Sequence, residues 1–459
     1  MQKTRSSFGR TAAQLAGLPM IEPLRVGVAG LGTVGASVVR ILARQDNALA
    51  DRGGRPVRVT AVSSRDRTRD RGLDLSRYAW IDDPVALARS PEVDCVVELI
   101  GGSEGAARAT VEAAIAAGKH VVTANKALLA KHGLALARAA EAQGTALCFE
   151  AAAAGGIPVI KTLREALHGN AVRRVYGILN GTCNYILTRM EQEGLSFAEC
   201  LKDAQRLGYA EADPTFDVEG FDTAHKLAIL TSLAFGVEID ADAIYVEGIS
   251  KISTLDLRMA DELGYRIKLL GVAERTKTGI EQRVHPTMVP KSSSIAQVTG
   301  VTNAVTIDAD AVRELTLIGP GAGGEATASA VIGDIGDIAS GAVRPPFGRP
   351  VARLERAQRA PMQRHEGGYY IRLTVPDRPG VAAGVATHMA AQDISIESIL
   401  QKRSELAATK DPHGKSGAPV PLVLVTYAAE EAAIRAALDK IAADGLISEP
   451  PQVIRIERE

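Results

Sequence analysis

Aromatic residues and net charge are both scarce in this chain. Phenylalanine, tryptophan and tyrosine together make up 4% of its 459 residues, and the formal net charge is −1. A nearly neutral chain lacks the basic surplus that is typical of proteins that bind nucleic acid or an anionic membrane surface. No apolar run approaches the roughly 18 residues that a membrane-spanning helix needs. We therefore expect no nucleic-acid partner and no membrane segment.

Cysteine is equally rare, and its few copies lie far apart. The chain has no CxxC pair, and its four cysteines are Cys95, Cys148, Cys183 and Cys200. This separation is typical of free thiols in a reducing compartment and argues against a disulfide framework or a zinc site. Residues 1–22 are basic but lack the apolar core of a secretory signal. We interpret them as a flexible extension of a cytoplasmic protein, with a transit peptide as the alternative.

Apolar residues and glycine, in contrast, are plentiful. Hydrophobic residues make up 46% of the chain, which also contains 44 glycines. At about 150 residues per domain, the length predicts roughly three domains. We place these domains at 23–150, 151–341 and 367–459. A stretch rich in proline and arginine, 342–366, is predicted to be a linker between the last two.

The first domain alternates between strand and helix patterns. Apolar, strand-like runs lie at Leu24–Ala29, Val57–Ser63, Val93–Ile100, His120–Thr123 and Ala146–Glu150. Segments with helical spacing lie between them, at Ala36–Arg44, Ala106–Ala117 and Leu134–Gln143. This alternation predicts an α/β fold with a doubly wound parallel sheet of the Rossmann type.

The other two domains have different patterns. Residues 151–341 combine a strand at Arg173–Leu179, an apolar helix at Thr223–Phe235 and later strands with glycine-rich turns, which predicts an α+β domain. From Gly368 onwards the order is strand, helix, strand, strand, helix and strand. That order is typical of a ferredoxin-like unit. We interpret Ala407–Pro419 as a mobile insertion within it.

A glycine-rich turn follows the first strand directly. It is a GxGxxG motif that consists of Gly30, Leu31, Gly32, Thr33, Val34 and Gly35. Between a strand and a helix, its first glycine allows a tight turn, its second admits a pyrophosphate, and its third lets helix and strand pack closely. We predict that this turn binds a nicotinamide dinucleotide, with a glycine turn that binds no ligand as the alternative.

The end of the second strand bears on the choice between NADP and NAD. An NAD site usually carries an acidic residue there, which binds the ribose 2′-hydroxyl. In this chain Arg65 precedes Asp66 at that place. Because a guanidinium pairs well with a phosphate, we expect NADP(H) to be favoured over NAD(H), with Arg65 at the 2′-phosphate. An exposed loop without a role in binding is the alternative.

Acidic residues cluster before a helix that carries a lysine. Residues 208–222 contain five acids, and Lys226 follows. At about 100° per residue, Asp222 and Lys226 share an inward stripe with Ile229, Leu230 and Leu233. A lysine that enters a core needs a partner, and hydride transfer to a carbonyl needs a proton donor. We assign Lys226 as that donor and the nearby acids as partners of a substrate ammonium. A purely structural ion pair is the alternative.

Two further strand ends carry candidate residues. Lys126 follows the strand at His120–Thr123, at the sheet edge where doubly wound folds bind their ligands. We expect it to reach the nicotinamide or the reacting oxygen, with a surface lysine at a helix start as the alternative. The turn Asn180-Gly181-Thr182 has free N–H groups that can bind a carboxylate, or Thr182 caps the following helix.

With their order and spacing, these motifs resemble homoserine dehydrogenase in the form that carries a C-terminal ACT domain. The matching stretches are Gly30–Gly35, Val97–Gly102, Thr123–Lys126, Glu150–Ile160, Asn180–Leu187, Gly208–Lys226 and Gly319–Gly324. Together they are far more specific than the first glycine motif alone. The departures are small: Gly105 stands where proline is common, and the insertion in the last domain is unusual.

The resemblance implies roles for individual residues. Lys226 is the implied proton donor, and Lys126 is implied to reach both cofactor and substrate. Contacts with the amino acid are implied for Glu211, Asp217 and Asp222. Contacts with the dinucleotide are implied for Thr33, Val34, Gly208, Glu211 and Gly323. The family also binds a sodium ion, which is consistent with the preference of hard cations for oxygen, through the Glu150 carboxylate and the backbone carbonyls of Ala153, Gly155 and Ile157.

The implied reaction is the interconversion of L-aspartate 4-semialdehyde and L-homoserine with NAD(P)H, on the route to threonine, methionine and isoleucine. The ACT domain implies a homodimer or homotetramer and feedback by an amino acid, with L-threonine favoured; an oligomerisation module without a ligand is the alternative. A different amino-acid dehydrogenase and a catalytically inactive sensor are the other functions considered. Intact Lys126, Asp222 and Lys226 argue against the sensor.

Overall fold

Residues 22–401 and 419–457 are described by the computed structural model of this chain. The predicted N-terminal extension, apart from Glu22, lies outside the described residues. Residues 407–418 of the predicted insertion also lie outside the described residues. The last residue of that insertion, Pro419, begins a strand. No helix within the described ranges is long and apolar enough to cross a bilayer.

A parallel six-stranded sheet forms the first domain. Its strands are β1 (Leu24–Ala29), β2 (Val57–Ser63), β3 (Ala79–Trp80), β4 (Cys95–Glu98), β5 (His120–Thr123) and β6 (Leu147–Cys148). Their spatial order is β3-β2-β1-β4-β5-β6, and every pair is parallel. This is the order of a dinucleotide-binding Rossmann sheet, so the predicted fold class is confirmed. The two-residue strand β3 was not predicted, because so short a strand leaves no periodic pattern.

Helices cover both faces of this sheet. They are α1 (Thr33–Arg44), α2 (Asp46–Gly53), α3 (Pro84–Arg89), α4 (Ala106–Ala116) and α5 (Lys126–Gln143). Helix α5 begins eight residues before the predicted start at Leu134, since the Asn125 side chain accepts the N–H of Leu128 at 3.1 Å and caps the helix. Lys126 is therefore the first residue of a long helix.

Two glycines of the first turn are required by the fold itself. Gly30 has a φ of +102°, and a Cβ there would lie 2.5 Å from the carbonyl oxygen of Leu99. A Cβ on Gly35 would lie 1.9 Å from the carbonyl oxygen of Gly30. A Cβ on Gly32 would meet nothing within 4 Å. The first and third glycines thus serve packing, and the second faces open space.

The second domain combines helices with a large, mostly antiparallel sheet. Its helices are α6 (Ala151–Ala154), α7 (Val159–Lys161), α8 (Gly181–Glu193), α9 (Phe197–Arg206), α10 (Thr215–Val218), α11 (Phe221–Phe235), α12 (Thr254–Glu262) and α13 (Gly324–Ala339). Its strands are β7 (Val172–Ile178), β8 (Tyr245–Val246), β9 (Tyr265–Thr276), β10 (Gly279–Pro290), β11 (Thr302–Ala309) and β12 (Arg313–Pro320). Among these strands only β8 pairs in parallel, with β10. Helix α13 returns to the first domain, where a Cβ on Gly324 would lie 2.9 Å from Ser37 Oγ of α1.

Helix α11 is buried around most of its circumference, apart from Phe221 at its start, which is exposed. The predicted apolar stripe places Lys226 inwards, and Lys226 is indeed only 9% exposed. The residues expected on the opposite face, Ala224, Ala228 and Thr231, are also buried. The helix therefore lies within the core instead of on a surface, and its hydrophobic pattern extends around most of its circumference.

The C-terminal domain has the predicted βαββαβ order. Its elements are β13 (Glu366–Pro376), α14 (Val381–Ala390), β14 (Ile396–Gln401), β15 (Pro419–Thr426), the two-residue β16 (Ala429–Glu430), α15 (Glu431–Ala443) and β17 (Gln452–Ile456). Strand β17 also pairs with β10 of the second domain, in parallel. The two domains consequently share one sheet of eleven strands, whose main path is β12-β11-β7-β9-β10-β17-β13-β15-β14. The sequence did not predict this continuity.

The segment predicted to be a linker packs onto the first domain, near its boundary with the second. Phe347 is 1% exposed, and its ring centroid lies 5.3 Å from that of Phe149. Val351 is buried, and its N–H donates to the Glu141 carboxylate at 3.0 Å. Residues 342–366 thus connect the domains along a fixed path.

We predict different effects of two alanine substitutions in the first turn. Gly35→Ala forces a Cβ against the carbonyl of Gly30, so we expect it to lower the free energy of unfolding by about 2 kcal/mol. The matched control, Gly32→Ala, should change it by less than about 1 kcal/mol. Urea denaturation of both variants measures this difference. Equal losses of stability would show that Gly35 is not the tightly packed position.

Candidate active site

A cavity of about 640 Å³ lies between the start of α5, the turn before α8 and the start of α11. Its lining includes Lys126, Asn180, Thr182, Gly208, Tyr209, Asp217, Asp222, Lys226, Val301, Thr302 and the loop 319–323. Six of the predicted site residues therefore meet in one place, although they are far apart in the sequence. They are Lys126, Gly208, Asp217, Asp222, Lys226 and Gly323.

Asp222 binds two lysines at this cavity. Lys226 Nζ lies 2.7 Å from Asp222 Oδ2 and donates to the carbonyl oxygen of Leu179 at 2.6 Å. Lys126 Nζ lies 3.1 Å from the other carboxylate oxygen, Asp222 Oδ1. Asp222 is buried and Lys126 is half-buried. One carboxylate thus fixes two ammonium groups at the cavity wall.

The charge of Asp222 is maintained by these two lysines. Burial alone would raise the pKa of Asp222, but the ammonium groups of Lys226 and Lys126 hold that pKa well below its ordinary value. Because the folded-state pKa is lowered, the interaction stabilises the fold above about pH 4. That stability is lost as the pH falls through the folded-state pKa.

Asp217 experiences the opposite balance. Burial, together with the nearby charge of Asp222, raises the pKa of Asp217. Its Oδ1 accepts a hydrogen bond from Asn180 Nδ2 at 2.8 Å, and the same nitrogen donates to Asp222 Oδ2 at 2.9 Å. Asp217 therefore has less compensating charge than Asp222, and a cation that enters the cavity would stabilise its ionised form.

Asn180 holds this arrangement together through its side chain, whereas the sequence predicted a role only for the backbone N–H groups of its turn. Its Oδ1 accepts the N–H of Cys183 at 2.8 Å and caps α8. The predicted alternative, Thr182 as the cap, is wrong because Thr182 lies inside the helix. Its hydroxyl instead donates to the carbonyl of Tyr209 at 2.6 Å, which fixes the loop that carries Gly208 to α8.

Glu211 does not line this cavity. Its side chain is exposed, and its carbonyl oxygen accepts a hydrogen bond from Gln205 Nε2 at 3.0 Å. Gly208 and Gly323 do line the cavity, and both are exposed. Of the predicted substrate-contact residues, the structure brings Asp217 and Asp222 together and leaves Glu211 outside.

A second cavity, of about 530 Å³, lies over the glycine-rich turn. Its lining includes Gly30, Leu31, Gly32, Ser63, Ser64, Arg65, Asp66, Arg69, Arg71, Leu99, Ile100 and Gly101. The turn also begins α1, which has no acidic side chain in its first turn. The N–H groups and the positive end of the helix dipole are therefore available to an anion, as a dinucleotide pyrophosphate requires.

Arg65 and Asp66 differ in how free their side chains are. Asp66 Oδ1 accepts hydrogen bonds from the Thr68 hydroxyl at 2.7 Å and from the Thr68 N–H at 2.8 Å, and these bonds lower the pKa of Asp66. Its carboxylate is thus engaged within its own turn. Arg65 is exposed and lines the cavity. Asp66 lines the same cavity, so the two side chains differ in their engagement and not in their position.

Hydrogen bonds connect the walls of the two cavities. Asn125 Nδ2 donates to the carbonyl oxygen of Gly102 at 2.7 Å, so the turn before Lys126 is fixed to the loop after β4. Glu98 is fully buried; it accepts the Thr123 hydroxyl at 2.6 Å and two backbone N–H groups of the same loop. A ligand that spans both cavities would thus meet a continuous, hydrogen-bonded wall.

Glu98 and Arg71 were also missed by the sequence interpretation. An acid inside an apolar strand is a usable signal, because a buried carboxylate requires partners. The sequence around Arg71 gives no such signal. Its Nε donates to the carbonyl of Leu31, forty residues away, at 3.0 Å, and its Nη2 donates to Ser64 Oγ, seven residues away, at 3.1 Å. Contacts of this kind depend on the tertiary fold.

The predicted cation-binding residues lie in a buried region behind these cavities. Both oxygens of the Glu150 carboxylate accept backbone N–H groups, from Ile160 and Lys161 at 2.8 Å each. Burial nevertheless raises the pKa of Glu150, and it raises that of neighbouring Asp334 to about 7. Asp334 Oδ1 has no hydrogen-bond partner among the described residues, although the Lys161 ammonium lies 3.8 Å from it. Carboxylate and carbonyl oxygens are the donors that a hard cation prefers, so the chemistry of these residues fits one.

Comparison with known proteins agrees with this arrangement. The sequence profile for homoserine dehydrogenase matches residues 158–335, and the profile for the homoserine dehydrogenase NAD-binding domain matches 30–150. An ACT domain profile matches 369–442. The chain is 44% identical to homoserine dehydrogenase of Pseudomonas aeruginosa over 95% of its own length and 100% of the relative's.

Two further relatives extend this similarity. The homoserine dehydrogenase of Neisseria gonorrhoeae is 42% identical over 95% of this chain and 99% of its own length. The crystal structure of a homoserine dehydrogenase from Thiobacillus denitrificans superposes with a TM-score of 0.88 and 43% identity, covering 95% of this chain and 99% of that one. The chain described here therefore belongs to the homoserine dehydrogenase family, with an NAD(P)-binding Rossmann domain and a C-terminal ACT domain.

Proposed function

We propose that this protein interconverts L-aspartate 4-semialdehyde and L-homoserine, with Lys226 as the proton donor. The observation that supports this most directly is the pairing of Lys226 and Lys126 with one buried carboxylate at the cavity wall. When bound, the nicotinamide dinucleotide supplies or accepts the hydride. The reaction places the protein on the route to threonine, methionine and isoleucine.

Lys226 is oriented so that one of its protons can face a substrate. An ammonium group has three N–H donors, and two of those of Lys226 are bound by Leu179 and Asp222. The third is available to an oxygen in the cavity that Lys226 lines. In reduction it would donate a proton to the alkoxide that develops at C4, and in oxidation the deprotonated amine would accept one from the hydroxyl.

The acids have separate tasks in this proposal. Asp222 is occupied by the two lysines and Asn180, so it orients the proton donor. Asp217, whose ionised form is less compensated than that of Asp222, binds the substrate ammonium. Lys126 contacts the reacting oxygen or the nicotinamide. Glu211 can contribute only from the rim, since its side chain is exposed.

Turnover of the purified protein tests the proposal. NADPH or NADH absorbance is followed with L-aspartate semialdehyde or L-homoserine, with and without L-threonine. We expect activity with both substrates, and we expect Lys226→Ala to lower kcat by roughly 10²-fold or more while NADPH affinity stays near normal, because a proton donor is lost.

The matched control for Lys226→Ala is Lys119→Ala. Lys119 is also 9% exposed, and its Nζ also donates to a carbonyl oxygen, that of Ser90, remote from the site. The control should retain kcat within about twofold. Absence of turnover with either substrate contradicts the proposed reaction, and an unchanged kcat in Lys226→Ala removes Lys226 from the mechanism.

We further propose that NADP(H) is favoured over NAD(H), since Arg65 is open to the cavity whereas Asp66 is engaged. Arg65→Ala should raise the KM for NADPH by about tenfold, the effect of losing a charge-assisted hydrogen bond, and leave the KM for NADH within about twofold. Arg67→Ala is the control, because Arg67 lies in the same loop with its guanidinium 5.6 Å from the Trp80 ring centroid. Equal effects on both cofactors would contradict this assignment.

We propose that a sodium ion is held by the Glu150 carboxylate and the backbone carbonyls of Ala153, Gly155 and Ile157. A bound cation would compensate buried charge and stabilise this turn. Replacing sodium with tetramethylammonium at constant ionic strength should lower the Tm by about 3 °C, and Glu150→Gln should abolish the difference. A Tm that does not depend on the cation in the unsubstituted protein would contradict the site.

The remaining parts of the proposal concern regulation and assembly. We propose feedback inhibition by L-threonine through the ACT domain, and a homodimer or homotetramer. Exposed apolar side chains on both edge strands of the shared sheet, Ile318 on β12 and Ile399 on β14, support an assembly. Four buried free thiols support a cytoplasmic location.

A further inference from the structure

A buried ionic cluster lies where the ACT domain joins the catalytic sheet. Strand β17 is inserted between β10 and β13, and its residue Arg455 is 1% exposed. Around this guanidinium lie Glu431 of α15 and, from the second domain, Tyr245 and Glu247. A charge so deeply buried is tolerated only with partners of this kind.

The pair of Arg455 and Glu247 crosses the boundary between the two domains. Arg455 Nη1 lies 2.7 Å from Glu247 Oε2, while its Nε and Nη2 bind the Glu431 carboxylate at 3.0 and 2.8 Å. Burial alone would raise the pKa of Glu247, but the charge of Arg455 holds that pKa below its ordinary value. Arg455 is therefore anchored in the ACT domain by one carboxylate and joined to the catalytic domain by another.

Residues 247–249 support the segment that carries the substrate acids. The N–H of Ile249 donates to the carbonyl oxygen of Val218 at 2.9 Å. A Cβ on Gly248 would lie 2.4 Å from that same oxygen. On Gly220, a Cβ would lie 3.6 Å from the carbonyl oxygen of Glu247. The backbone at Gly248 is thus in direct contact with residues 218–220, which lie between Asp217 and Asp222.

The path from the ACT domain to the cavity is consequently short. It consists of the Glu247 carboxylate, which pairs with Arg455 at 2.7 Å and with Arg435 of α15 at 3.4 Å, and one backbone contact, from Gly248 to the segment 218–220. Asp217 directly precedes that segment and Asp222 follows it after one residue, so the connection to both acids runs along the backbone. Beyond the ion pair at Glu247 the path consists of backbone, so a displacement of β17 that moves Glu247 would reach the acids directly.

We propose that Arg455 and Glu247 are positioning residues that couple the ACT domain to the substrate acids Asp217 and Asp222. This inference rests on the proposed function for its kinetic consequence. It assigns a physical route by which a change in the ACT domain alters substrate binding, and it requires no rearrangement of the nucleotide domain.

A second ion pair across the same boundary provides a matched control. Arg372 of β13 donates from Nε to Asp256 Oδ1 at 2.7 Å and from Nη2 to Oδ2 at 3.2 Å. Asp256 lies in α12 and is fully buried. This pair holds the domains together like the first, but Asp256 is not adjacent to the segment 217–222. Its loss should weaken the boundary without affecting the acids.

Steady-state kinetics of Glu247→Gln and Arg372→Met test the coupling. Gln has nearly the shape of Glu, and the Glu247 side chain is 31% exposed, so folding should be retained. We expect Glu247→Gln to lower kcat/KM for L-homoserine by about tenfold, mainly through KM, with the KM for NADP unchanged. Arg372→Met should leave kcat/KM within about twofold whatever its Tm. If Glu247→Gln fails to fold, Arg455→Lys serves in its place with the same expected direction.

Hydrogen exchange measured on the same variants reports on position independently of turnover. In Glu247→Gln the amides of residues 217–224 should exchange about tenfold faster, and in Arg372→Met they should not. Equal effects of the two variants on kcat/KM and on exchange would overturn the coupling. A protein that shows the selective exchange but no turnover with homoserine would instead contradict the proposed function and leave the coupling standing.

Discussion

The carboxylate of Asp222, shared between two lysines, is the interaction on which the candidate site depends. Each of its oxygens meets a different ammonium group, from Lys226 on its own helix and from Lys126 of the nucleotide domain. The site is therefore complete only when α5 and α11 are docked against each other. Asn180 adds a third contact from the turn before α8. A buried charge with three partners from three elements favours one arrangement of the domains and strongly disfavours others.

The nucleotide domain supplies the rest of this geometry through hydrogen bonds at the carboxyl ends of its strands. Glu98 at the end of β4 binds Thr123 at the end of β5, and Asn125 then fixes the next turn to the loop after β4. Lys126 follows directly, so its position depends on strand pairing as well as on its own helix. The same edge of the sheet holds the glycine-rich turn, which brings the dinucleotide cavity and the lysines to one side of the domain.

The sequence predicts features that leave a local pattern, and it does not predict contacts between distant segments. Buried parallel strands and a GxGxxG turn leave local patterns, so the Rossmann domain was predictable. The prediction that Lys226 points inwards is confirmed. The helix pattern gave little support to it, because most of the helix is buried and few of its residues are exposed. The role of the Asn180 side chain in the site was not predictable, because an asparagine at a strand end is usually an ordinary helix cap. Asn180 serves as a cap here as well. The continuity of β17 with β10 is a pairing between distant segments, and periodicity within either strand carries no information about its partner.

The shared sheet changes how the ACT domain relates to catalysis, because the domain is part of the catalytic scaffold and not a tethered module. The central claim is that Lys226 lies within reach of the reacting oxygen. A crystal structure with NADP⁺ and L-homoserine tests this claim directly. The expected result places the hydroxyl oxygen within about 3 Å of Lys226 Nζ, with the substrate ammonium at Asp217. A substrate whose hydroxyl lies away from Lys226, while Lys226 keeps only its bonds to Asp222 and Leu179, would contradict the account.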